Sequence, residues 1–160
     1  MLKQGLHVSL IRVSVHVHPT EAIEKVKQAL ANLLTMVIAD LDENLDVSVL
    51  EGDYTNKIQV LTWTLKKPKE LEHFLACVKN GLPEDQKRVL KQYFSSFYNP
   101  DSKTVFLRLH KQSAFENVFN ISQYDDIFHV SMKFSSYTSR SSADAESNVL
   151  AFLLENGIVM

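Results

Sequence analysis

The segment Thr104-Val-Phe-Leu-Arg-Leu-His-Lys-Gln-Ser-Ala-Phe115 gathers side chains that can hold a polyanion. Read as a strand, it turns Val105, Leu107 and Leu109 to one face and Phe106, Arg108, His110 and Gln112 to the other. An aromatic ring stacks on a base, a guanidinium pairs with phosphate, and an imidazole or amide reaches polar base edges. Taken alone, the same face suits any half-exposed strand in water. No reaction is written in these residues, so a binding protein is expected rather than an enzyme.

The chain has 160 residues, enough for one domain with its own core, and residues 1–160 are read as a single unit. Its single cysteine, Cys77, excludes an intramolecular disulfide. With no signal-like start and no apolar run near membrane-helix length, a cytoplasmic protein without a membrane partner is expected. The net charge of −2 argues against a general nucleic-acid coat protein, but it hides an asymmetry. Residues 1–55 carry four Lys/Arg against eight Asp/Glu, residues 56–111 eleven against five, and residues 112–160 two against six. A basic block inside an acidic chain can steer a polyanion locally. Part of that block, Lys79, Lys87, Arg88 and Lys91, reads as helix surface.

The elements that must position these groups follow from periodicity. Residues 7–17 alternate, with His7, Ser9, Ile11, Val13, Val15 and Val17 on one side and Val8, Leu10, Arg12, Ser14 and His16 on the other. His18-Pro-Thr-Glu21 ends this strand, and Thr20 is the expected N-cap of a helix with the stripe Ile23, Val26, Leu30 and Leu33. Residues 35–46 are acidic and weakly patterned. Val47–Leu50 and Ile58–Leu65 read as strands around the turn Glu51-Gly-Asp-Tyr-Thr-Asn56. Pro68 opens a second helix with Leu71, Phe74, Leu75 and Val78 inward, closed by Gly81 as a C-cap. A third helix follows Pro83, with the stripe Val89, Leu90, Tyr93, Phe94 and Phe97, and Asn99-Pro-Asp-Ser102 is a turn. Ile127–Phe134 is the last strand, residues 135–142 an exposed serine-rich loop, and Leu150, Phe152, Leu153 and Leu154 lie in a short final helix. The order β-α-β-β-α-α-β-β-α predicts an α+β fold, two layers with helices on one face of a sheet. The other face would be open to a flat ligand.

Other chemistries find little support. Glycines at 5, 52, 81 and 157 form no phosphate loop or dinucleotide fingerprint. Cys77 has no evident partner in sequence and reads as a packed thiol. His16 and His18, two apart, would share a side of an extended segment that His110 or His129 could complete as a metal set, but no flanking ligand motif accompanies them. The acids Asp40, Asp42, Glu43, Asp125 and Asp126 read as hydrated loops. No cofactor and no metal are expected.

Three segments, in order, resemble the archaeal RNA-binding proteins described as predicted exosome subunits. Val17-His-Pro-Thr-Glu21 is similar to that family's strand running into His-x-Thr-Glu and a helix. Glu51-Gly-Asp-Tyr-Thr-Asn-Lys-Ile58 is similar to its Gly-x-Tyr-Gly-Asn-x-Ile loop. Leu107-Arg-Leu-His-Lys-Gln-Ser-Ala-Phe115 is similar to its Leu-Arg-Leu-Asp-Lys-Gln-x-Ala-aromatic strand, and it is the most specific of the three. Thr55 stands where the family favours glycine, His110 where it has an acid, and Glu116-Asn117 where Gly-Glu is frequent. The resemblance implies RNA binding without catalysis, and a fold like that of the ribosomal protein that binds 5S rRNA.

On that footing Arg108, Lys111 and Lys57 are expected on phosphates, Tyr54 and Phe106 on unpaired bases, and Arg12, His16, Asn56, His110 and Gln112 around them. The partner would be structured RNA or single-stranded loops, with proteins of an RNA-processing assembly as further partners. The alternative is a docking subunit of a ribosomal or RNA-processing complex that touches little RNA. If His16, His110 and His129 share a face with Arg12, Arg108 and Lys133, the cations should keep the imidazoles neutral until a phosphate backbone arrives. In that case His110→Ala is expected to flatten the pH dependence of RNA affinity.

Overall fold

Period-two burial runs along four strands, and its apolar side always meets the same layer of helices. In this computed structural model the described residues are 6–36, 41, 43–51, 57–123, 126–136 and 142–160, the side chains of 142–144 excepted. The elements are β1 (His7–Val17), α1 (Ile23–Leu34), β2 (Leu45–Glu51), β3 (Lys57–Leu65), α2 (Pro68–Gly81), α3 (Glu84–Gln92), a 3-10 turn (Phe94–Phe97), β4 (Tyr98–Asn99), β5 (Thr104–His110), α4 (Lys111–Phe115), β6 (Ile127–Ser135) and α5 (Ser142–Glu155). The strands form one antiparallel sheet in the order β2-β3-β1-β6-β5-β4. This is the expected α+β order, with a short β4 and a short α4 added.

The core lies between sheet and helices. Ile11, Val13, Val15 and Val17 of β1, Leu61, Trp63 and Leu65 of β3, Val105, Leu107 and Leu109 of β5, and Phe128, Val130, Met132 and Phe134 of β6 supply its floor. Leu30, Leu33 and Leu34 of α1, Leu71, Phe74 and Val78 of α2, and Phe152 and Leu153 of α5 cover it. Each such side chain, once fully buried, contributes about 1.5–3 kcal/mol, so the helix layer is held chiefly by these contacts. Phe134 and Phe152 meet edge to face with centroids 5.3 Å apart, which locks α5 onto β6.

Several local expectations are corrected. The alternation of β1 slips at a register shift between Val8 and Leu10, so Val8 is buried while His7 and Ser9 are only half-buried. A bulge of this kind moves one residue to the opposite face. Thr20 does not cap α1, because Pro19 and Thr20 are spent in a turn closed by Glu21 N–H donating to His18 O (2.9 Å). The N-cap is Ala22, which makes no side-chain cap. The stripe assigned to α3 breaks after Gln92, where the 3-10 turn resets the phase. Val89 and Tyr93 are left exposed, and Phe94 stacks on Tyr98 at 5.5 Å.

Gly81 is the last residue of α2 rather than its cap, and it is there for space: a Cβ would sit 2.5 Å from Phe119 Cδ1. Lys87, read as helix surface, is buried, and its Nζ donates to Lys79 O (2.7 Å) near the carbonyl end of α2. β6 extends to Ser135 and α5 starts at Ser142. The serine-rich residues 137–141 between them, like the turn residues 52–56 and Asp40, Asp42 and Asp125, lie outside the described residues.

Candidate nucleic-acid interface

The face of the sheet turned away from the helices carries a patterned set of polar side chains. Cross-strand register arranges them in rows. One row runs Thr64, Arg12, Ser131, Phe106 across β3, β1, β6 and β5. The next runs Asp46, Thr62, Ser14, His129, Arg108 from β2 to β5. A third begins Ser48, Val60, His16. Arg12 and Arg108 therefore stand on either side of β6, two strand spacings apart and one row offset, roughly 12 Å in all. Between them Arg12, Ser14, Phe106, Arg108, His129 and Ser131 line a depression of about 500 Å³. Small hydroxyl residues form its floor, while the arginines and the exposed ring of Phe106 rise at its margin. Lys133 lies further along β6, opposite Leu10 and Thr104.

Cations dominate the centre of this face, and Asp46 lies out on the edge strand β2. Neither Arg12, Arg108 nor Lys133 forms an ion pair among the described residues. His129 sits opposite Arg108 and 6.3 Å, centroid to centroid, from His16. Burial lowers the His129 pKa below the usual histidine value, and the charges of Arg108 and His16 push in the same direction. For His129, then, burial comes before the neighbouring cations in disfavouring the charged form.

Other expected site residues are placed elsewhere. Lys111 is buried at the start of α4 rather than on the strand. Its Nζ donates to His16 O (2.9 Å), Glu21 Oε1 (3.0 Å) and Oε2 (3.2 Å), and lies 2.9 Å from Asp126 Oδ1. Its charge is already matched, so it is removed from the phosphate contacts by its own ion pairs. His110 is half-buried and caps α4, its Nδ1 accepting the Ser113 N–H (3.3 Å) and lying 3.0 Å from Ser113 Oγ. That cap ends the strand at 110, so the run expected to reach Phe115 turns helical. Gln112 consequently lies with Lys25, Thr20 and Phe115 in a separate depression of about 410 Å³ between α1 and α4. Lys57 is exposed at the end of β3, opposite Glu51 and in phase with Leu61 and Trp63, hence on the helix side. Tyr54 and Asn56 lie outside the described residues.

The serines of the depression, Ser14 and Ser131, attract no notice as single residues. The usable signal was the serine alternating with His129 and Lys133 in β6, and that needed strand pairing to acquire meaning.

Metal and nucleophile chemistry stay weak. His18, Glu21 and Asp126 place potential ligand atoms within 4.8 Å of one another, but the Lys111 ammonium, bonded to both carboxylates, already supplies the positive charge there. His16 keeps company with His129 instead of His18. Cys77, expected to be merely packed, has partners: its Sγ lies 3.6 Å from Leu34 O and from His73 Nε2, and 3.5 Å from Thr35 Oγ1. His73 Nε2 is 2.7 Å from Leu34 O, a carbonyl that only accepts, so that nitrogen carries the hydrogen and cannot take the thiol proton.

The family model described as RNA binding matches residues 10–134. The chain is 26% identical to RNA-binding protein PAB1135 of Pyrococcus abyssi over 133 residues, 83% of this chain and 86% of that one. Among solved structures it is similar to Mth689 of Methanothermobacter thermautotrophicus, a DUF54 protein, with 25% identity, a TM-score of 0.71, and 91% and 98% of the two chains covered. AF2318 of Archaeoglobus fulgidus shares the fold at 22% identity and a TM-score of 0.73, over 94% and 99% of the chains. With more than half of its length matched by that model, the chain belongs to this RNA-binding family, whose matched relatives are archaeal.

Proposed function

We propose that the open sheet face binds RNA directly and without catalysis. Arg12, Arg108 and Lys133 take phosphates, Phe106 stacks on an unpaired base, and His16 and His129 line the path between them. The RNA is one with exposed single-stranded bases, because a flat sheet with a projecting ring suits splayed bases better than a continuous duplex. Its cellular setting is a cytoplasmic RNA-processing assembly of the exosome-like kind, in which this chain is an accessory subunit.

The observation that carries the reading is the pair of arginines without acidic partners, among the described residues, flanking the depression beside Phe106. The test is filter binding to a single-stranded RNA loop and to a duplex of the same length, at rising salt. Preferential, salt-sensitive binding of the loop supports it. No affinity at low salt would overturn it. Affinity purification with and without nuclease then separates direct binding from docking, since partners that survive RNA digestion would favour the docking role.

A further inference from the structure

The two edges of the sheet are built differently. β4 is two residues long and runs directly into Pro100, the short and proline-flanked form in which an edge resists further pairing. β2 is seven residues long and pairs with β3 in unbroken register from Leu45 opposite Trp63 to Glu51 opposite Lys57. It contains no proline, no lysine and no bulge. Among the described residues no strand lies on its outer side, and Val47, Leu50 and Val49 are 49%, 50% and 55% exposed. Apart from its two acids, Asp46 and Glu51, such an edge lacks the devices that usually prevent strand addition.

We propose that β2 pairs antiparallel with β2 of a second copy of this chain, about a two-fold axis through Ser48. A two-fold axis that makes adjacent strands antiparallel stands normal to the sheet, so paired residues share a face and one residue meets its own copy. Centring on Ser48 pairs the whole strand: Leu45 faces Glu51, Asp46 faces Leu50, and Val47 faces Val49. The four valines then form one apolar cluster on the helix side, and no acid stands opposite an acid. Centring on Val47 sets Glu51 against Glu43, and centring on Val49 sets Val47 against Glu51. The Ser48 register keeps all seven residues of β2 paired and joins the four valines with no acid opposite an acid. Because the axis is normal to the sheet, both open faces point the same way in the dimer.

The test is sedimentation of the full chain, without RNA, so its outcome is independent of the RNA reading. The wild type is expected to show a concentration-dependent mass of two chains. Val47→Lys and Val49→Glu should each halve that mass. An equimolar mixture of the two variants should restore it, because the lysine introduced at 47 then faces the glutamate introduced at 49 of the other chain. Far-UV circular dichroism of each variant reports folding, and rescue by mixing shows that both remain folded. A wild type that stays monomeric would leave the edge to an extended segment of another protein and overturn the proposal. A dimer untouched by Val47→Lys, or monomeric variants that do not rescue each other, would overturn it as well.

Discussion

Lys111 Nζ lies 3.0 Å from Glu21 Oε1, joining the turn before α1 to the start of α4 across ninety residues of sequence. The lysine is buried while Glu21 is partly open. Its ammonium also holds His16 O and Asp126, so one side chain ties β1, the entry to α1 and the approach to β6. Removing a partner from a charged hydrogen-bond set typically costs about 1.5–3 kcal/mol. Lys111→Met is therefore expected to lower unfolding stability by about 2 kcal/mol, read by urea denaturation. The salt dependence of RNA affinity in the protein that remains folded should stay as in the wild type. A loss of RNA affinity with unchanged stability would return Lys111 to the interface.

Arg12 and Arg108 should behave in the opposite way. Both are exposed and make no ion pair among the described residues, so Arg12→Ala and Arg108→Ala should change stability by no more than about 0.5 kcal/mol. Each should flatten the slope of log affinity against log salt by roughly one, the signature of one lost phosphate contact. Phe106→Ala should weaken loop binding by about 1–3 kcal/mol while leaving the slope alone. Filter-binding titrations at several salt concentrations distinguish the two classes.

His129 makes stability depend on pH. Its pKa in the folded chain lies below the usual value, through burial first, then Arg108 and His16. The unfolded chain therefore binds more protons between that lowered pKa and about 6.5, and stability rises with pH across the window. The contribution is complete above about 6.5 and is lost as pH falls. Thermal melts of His129→Asn should show a shallower acid-side decline than the wild type. For RNA the sign reverses, since bound phosphate favours the imidazolium, and affinity should increase from about pH 7.5 to 6. His129→Asn should flatten that rise. His110→Ala, the substitution suggested by the sequence, should instead cost stability through the lost helix cap, by about 1 kcal/mol.

Tyr98 offers a gain. Its hydroxyl is buried with no hydrogen-bond partner among the described residues, and burial followed by the charge of Glu146 raises its pKa. The phenol keeps the desolvation penalty without a compensating bond. Tyr98→Phe retains the stacking on Phe94 and should raise stability by about 1 kcal/mol in chemical denaturation.

Much of this fold is legible locally. The alternation of Ile11, Val13, Val15 and Val17 in β1, the stripe of α1 and the proline at the start of α2 follow from period and steric preference alone. The same alternation assigns Arg12, His16, Phe106 and Arg108 to polar faces of their strands. It cannot say that those faces coincide, because strand order and register depend on contacts between residues about a hundred positions apart, such as Arg12 with Ser131. Nor does period distinguish a lysine at the end of a strand from one folded beneath it. Lys111 was drawn inward by Glu21 and Asp126, and His110 was turned into a cap by the helix that starts behind it. The sequence by itself determined the longer elements and the chemistry of their faces, and left the short β4 and α4 to the tertiary structure. Tertiary packing decided which cations remain free to bind, because a charge stays available only where the fold brings it no counter-charge.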